Sequence, residues 1–354
     1  MIIRTSKEEI EHYIASSAVN QSKLKLLTVS AQAFQEVKEP EMFFEEKEHF
    51  VIGRAVDDWI TQGDEYFITH YHLGATSKPS DVIMSIIQQT FATRTVDDWF
   101  EQNLLPAIEA HNYQPNWKPD TKIAKVSTEG ERYWKELLYS QGKTVLSVEQ
   151  YTKVQNIVSE LFNNRFTESY FRSSAQKHIY YQLPIYFELN NVQCKALLDM
   201  VIVNHVEKEI TLIDIKTIGD YTKNFDYQCL RRRYDIQIAW YMKAILHWAK
   251  INHFGDYNLN FPKFIVASST KVCDSIVFNC TPSFLNVGAF GTLKYQDYKV
   301  NAEEEEMQFV ESTMYGYTQL LEMYKWHEEN GWNYDYEIEM KKGEFTIDSS
   351  FKRQ

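Results

Sequence analysis

The chain has 354 residues, 44 % of them hydrophobic and 15 % aromatic, a composition that can bury a core and excludes a disordered polyelectrolyte. Its formal net charge of −12 excludes a protein that coats nucleic acid through sheer positive charge, although a local basic patch stays usable because charges are screened beyond about 8–10 Å at cellular salt. Residues 1–9 hold no apolar signal core and no later run approaches the roughly 20 apolar residues that span a bilayer, so a soluble, cytoplasmic protein without a membrane partner is expected.

From residue 7 to about 61 the pattern predicts helix, with Ser22 as an N-cap and a second apolar-periodic stretch at residues 50–56, read as two packed helices. Residues 62–135 are less regular, and Pro106, Pro115 and Pro119 mark a loop or linker between helical pieces. Residues 1–135 are therefore expected to form a helical amino-terminal part with an irregular insertion, and residues 136–354 the core and a carboxyl-terminal helix. Ser147-Val148-Glu149-Gln150 has the hydroxyl-first, amide-third spacing of a capping box and predicts a helix to about Phe162.

Residues 178–216 are rich in β-branched and aromatic side chains, broken at Asn190-Asn191 and Asn204-His205, which predicts three consecutive strands. A helix from Asp235 to about Lys250 follows, then strands at 263–267 and 275–278. Asn301 is placed to cap a helix whose first turn holds Glu303, Glu304, Glu305 and Glu306, acids that favour the positive end of a helix dipole; Met307, Val310, Met314 and Leu321 form its apolar stripe. The expected class is α/β (α+β), a central mixed β-sheet flanked by helices with a helical amino-terminal region. Cys194, Cys229, Cys273 and Cys280 are scattered without a C-x-x-C pair, so buried free thiols are expected rather than a zinc knuckle or a disulfide framework.

The chemistry-bearing segment is residues 195–216. Read as an antiparallel hairpin with Val203 facing Ile210, it sets Asp199 opposite Asp214, with Cβ atoms about 4.5–5.5 Å apart. Strand alternation puts Lys216 on the same face and turns Ile213 and Ile215 to the other, so one face reads as apolar and the other presents two acids and an amine. Two carboxylates this close repel unless one is protonated or a cation lies between them. Hard oxygen ligands suit Mg²⁺ or Mn²⁺ better than zinc. Lys216 is placed to orient or deprotonate a water, or to neutralise charge on a phosphate, which points to phosphodiester hydrolysis. The alternative is surface decoration with Lys216 satisfying both acids, against which stands the cost of like charges directly opposed in a sheet. A one-residue slip of register would turn one of the acids to the opposite face.

Asp199, a hairpin and then Asp214-Ile215-Lys216 resemble the D…(D/E)-x-K core of the PD-(D/E)XK nucleases. Tyr234-Asp235-Ile236-Gln237-Ile238-Ala239-Trp240-Tyr241 resembles the Q-x-x-x-Y element of the branch that includes RecB nuclease domains and RecE-type (exodeoxyribonuclease VIII-type) phage exonucleases. Asn20-Gln21-Ser22-Lys23-Leu24-Lys25, Gly142-Lys143-Thr144-Val145-Leu146-Ser147 and Gln193-Cys194-Lys195-Ala196 are similar to the RecE-like branch, and the likeness runs in order through most of residues 15–330. The resemblance implies a restriction-endonuclease-like core, with Asp199, Asp214 and the carbonyl of Ile215 as Mg²⁺ or Mn²⁺ ligands and Lys216 as the catalytic lysine. It implies that Gln237 and Tyr241 support the site, although Tyr241 also continues an apolar stripe with Ile238, Met242 and Ile245. Where the branch has G-x-x-x-H, Gly53 is followed by Asp57, a candidate ligand in place of histidine for which Asp58 competes. Some members hold an iron–sulfur cluster on four cysteines, three of them clustered after the core; Cys273 and Cys280 cannot supply that trio, so no cluster is expected.

Arg231, Arg232 and Arg233 form the densest cationic run and are candidate phosphate contacts, with a solvated surface run as the alternative. Ser22 and Lys25 are further phosphate candidates, and His70-Tyr71-His72 is read as structural for want of a third ligand nearby. The resemblance implies a deoxyribonuclease, specifically an exonuclease resecting double-stranded ends for recombination or repair, with DNA, a single-strand annealing recombinase and further copies of the chain as partners. Two other readings stay open: an endonuclease or single-strand nuclease on the same core, and a catalytically silent DNA-binding or assembly protein.

Overall fold

The computed structural model describes residues 1–36, 48–74, 79–94, 101–140, 142–270, 272–295 and 309–344. In chain order the strands are β1 (Ile2–Arg4), β2 (Tyr71–Leu73), β3 (Thr144–Leu146), β4 (Lys177–Leu189), β5 (Val192–Asn204), β6 (Glu209–Ile218), β7 (Asn258–Leu259), β8 (Lys263–Ser268), β9 (Ser275–Asn279), β10 (Thr292–Tyr295) and β11 (Phe309–Met314). The chain divides into one unit of Met1–Lys47 with Glu160–Gln354 and another of Glu48–Ser159. The expected division at residue 135 falls inside the helix Pro119–Ser140.

The first unit is built on a mixed sheet of order β1-β4-β5-β6-β8-β9, with β7 also beside β6. Asn190 and Asn191 both take left-handed backbone angles, φ 51° and 61°, so the two-residue turn between β4 and β5 matches the strands' twist at little cost. Strands β5 and β6 are antiparallel, and Asn204 Oδ1 accepts from the amides of Val206 and Glu207 in the turn between them. Parallel pairing of β6 with β8 needs a crossover, which the helix Tyr234–Ile251 supplies. The fold is thus a mixed α/β arrangement with a central sheet flanked by helices, as expected.

Central position decides burial. Val201, Val203, Ile210 and Leu212 share a core cluster with Ile236, Trp240, Ala244, Ile245 and Trp248 of that helix. By alternation along β6 these strand residues lie on the same side as Asp214 and Lys216, while Met200, Ile202, Ile213 and Ile215 on the other side are buried too. The expectation of one apolar and one polar face is corrected: both faces of β5 and β6 are covered, as befits strands with neighbours on each side, and the acids stand at the end of a helix-covered face.

The amino-terminal helix Lys7–Ala15 begins with a capping box between Ser6 and Glu9. Its last carbonyls are held by the buried Lys195, whose Nζ donates to Tyr13 O at 2.8 Å and Ser16 O at 2.9 Å. Ser22 is not an N-cap; Asn20 takes that place for the helix Gln21–Leu24, its Oδ1 accepting from Lys23 N at 2.8 Å. The helix Pro282–Phe290 packs so closely that a Cβ on Gly288 would lie 1.9 Å from the carbonyl oxygen of Asp235. At the carboxyl end Val310 and Met314 belong to β11, paired antiparallel with β10, not to a helix. Leu321 is buried in the helix Tyr317–Asn330. Asn301, Glu303, Glu304, Glu305, Glu306 and Met307 lie outside the described residues.

In the second unit, residues expected to be irregular form the helices Asp64–His70, Asp81–Ala92, Leu105–Ala110 and Pro119–Ser140 after Glu48–Gln62. Pro106 and Pro119 sit in first turns, where a missing N–H costs nothing. Ile83, Ile86, Ile87, Leu104, Ile108, Val126 and Trp134 make this unit's core. Strands β2 and β3 pair in parallel. The helix Val148–Asn163 starts with the predicted box, Ser147 N donating to Gln150 Oε1 and Gln150 N to Ser147 Oγ. Among the described residues no helix is long and apolar enough to cross a membrane.

Candidate active site

Asp199 lies on β5, Asp214 and Lys216 on β6, and Gln237 and Tyr241 one turn apart on the helix Tyr234–Ile251. The register Val203 to Ile210 and Met200 to Ile213 is the expected one. The paired ladder stops at Met200 and Ile213, one step short of the acids. Beyond it Asp199 Oδ2 accepts a hydrogen bond from the amide of Ile215 at 3.1 Å. A carboxylate thus takes the role a strand carbonyl has elsewhere, and ties the first acid to the middle residue of Asp214-Ile215-Lys216.

Asp214 is fully buried. Its Oδ1 accepts from Gln237 Nε2 at 2.9 Å, and Gln237 Nε2 is also 3.2 Å from the Tyr241 hydroxyl. Its Oδ2 is in ion-pair contact with Lys216 Nζ but receives no hydrogen bond of ordinary direction. Lys216 Nζ also lies 5.0 Å from the centre of the Tyr234 ring, a neighbour that sequence reasoning did not single out.

The electrostatics follow from burial. Burial and then the charge of Asp214 push the Asp199 carboxyl up to about 7, against Lys216 and the Ile215 amide. Burial raises Asp214 also, opposed by Lys216 and Lys25. Burial works against charge on Lys216, but Asp214 and Asp199 outweigh it and hold the ammonium above its usual range. The Tyr241 phenol is driven well up by burial and by the two carboxylates. Lys25, half-buried on the turn Lys25–Thr28, is lowered to about 8 by burial and by Lys216 and Arg233, which places it in the field of this site. A fully buried and a partly buried carboxylate facing a single ammonium, with one oxygen lacking a directed donor, are an environment whose ionised form a further cation stabilises. The all-oxygen donor set fits a hard divalent ion.

The other predicted residues fare differently. Asp57 lies on the helix Glu48–Gln62 in the other unit. Its competitor Asp58 accepts from the Tyr71 hydroxyl at 2.6 Å, and burial raises its carboxyl. Among the described residues no group of three or more His, Cys, Asp or Glu side chains converges. Ser22 is exposed, its Oγ accepting from Gln21 Nε2. Arg231 and Arg232 are exposed. Arg233 is half-buried and engaged within the fold. With φ 54° it turns inward, donating through Nε and Nη2 to both oxygens of the fully buried Asp235 at 3.0 Å and through Nη2 to Tyr315 O at 2.6 Å. An acid in the first turn of a helix, two residues after an arginine, was the sequence signal for this pairing. His70 is bonded within its own helix, its Nδ1 lying 2.9 Å from Tyr66 O.

No family model matches the chain. No curated protein matches its sequence either. Among solved structures, a crystal structure of a protein from Eubacterium rectale described as a "Putative exonuclease" aligns over 80 % of each chain with 11 % identity and a TM-score of 0.41.

Proposed function

We propose that the chain is a divalent-metal-dependent deoxyribonuclease that hydrolyses DNA phosphodiester bonds at the Asp199, Asp214 and Lys216 centre. The observation that carries this reading is the meeting of a carboxylate from one strand with a carboxylate and an ammonium from the next, at the end of a helix-covered sheet face. Asp199, Asp214 and the carbonyl of Ile215 would hold Mg²⁺ or Mn²⁺, which when bound lowers the pKa of a coordinated water and stabilises the leaving oxygen. The chain's own part is positional. Gln237 fixes Asp214 through Oδ1, Lys216 neutralises charge developing on the phosphate or orients the attacking water, and Tyr241, kept protonated, holds Gln237. Arg231 and Arg232 meet the DNA backbone outside the site.

An exonuclease acting on double-stranded ends for recombination or repair, assembled from several copies and working with an annealing recombinase, is the finer form of this reading; it rests on the motif resemblance alone. A second reading is a silent DNA-binding protein, favoured by Asp57 standing where the resembling enzymes have histidine. The test is incubation of end-labelled duplex with Mg²⁺, comparing the parent with Lys216→Ala, and linear with circular DNA. Degradation that needs the metal and is lost in the variant is expected. Retained degradation by the variant overturns the assignment of the lysine, and no metal-dependent degradation by the parent leaves the silent binder.

A further inference from the structure

Between β6 and the Gln237 helix the chain forms a short turn, Thr222–Asn224, and the helix Phe225–Arg231. The inner side of this helix is set by Phe225 and Cys229, both buried and four residues apart. Phe225 packs against the rings of Tyr234, Phe264 and Phe278. The Tyr234 ring, stacked on Phe225 with centres 5.8 Å apart, lies 5.0 Å from Lys216 Nζ, so this inner side adjoins the candidate site.

The outer side has a different character. Tyr221 and Tyr227 are 64 % and 71 % exposed, and Lys223, Arg231 and Arg232 are exposed beside them. Tyr227 and Arg231 are four residues apart and share a helix face. Among the described residues neither tyrosine ring stacks on another ring and neither guanidinium has a side-chain partner. Residues 221–232 carry three cations against one acid, Asp226, in a chain whose net charge is −12. The adjacent Asp220 turns its carboxylate back onto the Tyr221 amide and Asn224. Two unpartnered aromatic faces interleaved with free cations suit a chain of phosphates carrying unstacked bases. A duplex keeps its bases stacked and has nothing to offer the rings.

We propose that the outer face formed by Tyr221, Lys223, Tyr227, Arg231 and Arg232 is a platform for single-stranded DNA, stacking bases on the two tyrosines and holding phosphates on the cations beside the candidate site. This deepens the nuclease reading and gives its substrate class as DNA with an unpaired tract at the site.

The experiment is equilibrium binding, by fluorescence anisotropy in chelator, of a fluorescein-labelled oligo(dT) and of a duplex of the same length. The double variant Tyr221→Ala, Tyr227→Ala should bind oligo(dT) about tenfold more weakly or worse, with duplex affinity changed less than about twofold. The double variant Tyr221→Trp, Tyr227→Trp keeps the aromatic faces and should bind oligo(dT) at least as well as the parent. Replacing Arg231 and Arg232 with Gln should weaken both ligands and flatten the salt dependence of oligo(dT) binding by about 0.7 in log–log slope for each phosphate no longer neutralised. Unchanged oligo(dT) affinity in the alanine variant, equal losses on both ligands, or failure of the tryptophan variant to bind overturns the proposal. Chelator keeps this result apart from catalysis. A parent that binds oligo(dT) through the tyrosines yet degrades no DNA leaves the platform standing and removes the nuclease, and a degrading parent whose tyrosine variants bind unchanged does the reverse.

Discussion

The amide of Ile215 donates to Asp199 Oδ2 at 3.1 Å, so the first acid of the site is bonded to the backbone between the second acid and the lysine. The bond holds a carboxylate in a place where burial and Asp214 both disfavour its charge, and its carboxyl stands at about 7 instead of the ordinary 3.8. Between those values the folded, metal-free protein binds more protons than the unfolded chain. The contribution of Asp199 to stability is therefore fully present below about pH 4 and is lost as pH rises through about 7. Asp214, raised by burial, acts in the same sense. Urea unfolding in chelator should show this descent, and Asp199→Asn should make it shallower. A variant whose midpoint follows pH as steeply as the parent's would rule out a charge-strained acid here.

Gln237 makes a hydrogen bond to Asp214 Oδ1 and is within reach of the Tyr241 hydroxyl, so its amide orients an acid without having to touch the substrate. Gln237→Ala should lower metal affinity or turnover about 10–100-fold, the range for removal of a group that orients a ligand. Titration of activity against Mg²⁺ at saturating DNA separates the two effects, and Gln237→Glu, which cannot donate while ionised, should not restore the loss. Unaltered metal dependence in both variants would show that Asp214 needs no such support.

How much of this was legible in the sequence depended on how local its cause is. Strands β4 to β6 and the register of Val203 with Ile210 were readable because alternation and the Asn190-Asn191 turn are written within forty residues of one another. The cover over the acidic face was not, because Trp240, Ala244 and Trp248 reach it from a later helix. Residues 62–135 read as irregular because their helices are separate pieces with proline in first turns, and proline marks a helix start as readily as a break. Val310 and Met314 fit a helical stripe by spacing, but their partner strand β10 decides their state, and that pairing is not visible in a local window.

Three consecutive arginines should divide sharply in their effect on stability. Arg233 pairs through two hydrogen bonds with the fully buried Asp235, and Arg233→Ala would strand that carboxylate without a counter-charge, a loss of about 3–5 kcal/mol. Arg231→Ala and Arg232→Ala remove exposed side chains and should stay within about 0.5 kcal/mol of the parent. Urea denaturation of the three variants tests this directly, and equal effects at all three positions would contradict the inward turn of Arg233.

Gly288 tests whether the site depends on packing that none of its residues make. A Cβ there would lie 1.9 Å from the carbonyl oxygen and 2.3 Å from the carbonyl carbon of Asp235, and 2.9 Å from the Ala239 Cβ. Two of these atoms are backbone, so no rotamer change relieves the clash and one helix must move. Gly288→Ala should cost about 3 kcal/mol, the upper end for an overpacked core. It should also displace the start of the Tyr234–Ile251 helix, which carries Gln237, and so reduce turnover under conditions where the variant remains folded. Gly288→Ser should do the same, whereas Ala289→Gly, on the neighbouring position, adds no atom and should leave turnover near the parent's. Full turnover in folded Gly288→Ala protein would mean that the helix can slide without disturbing the hold of Gln237 on Asp214.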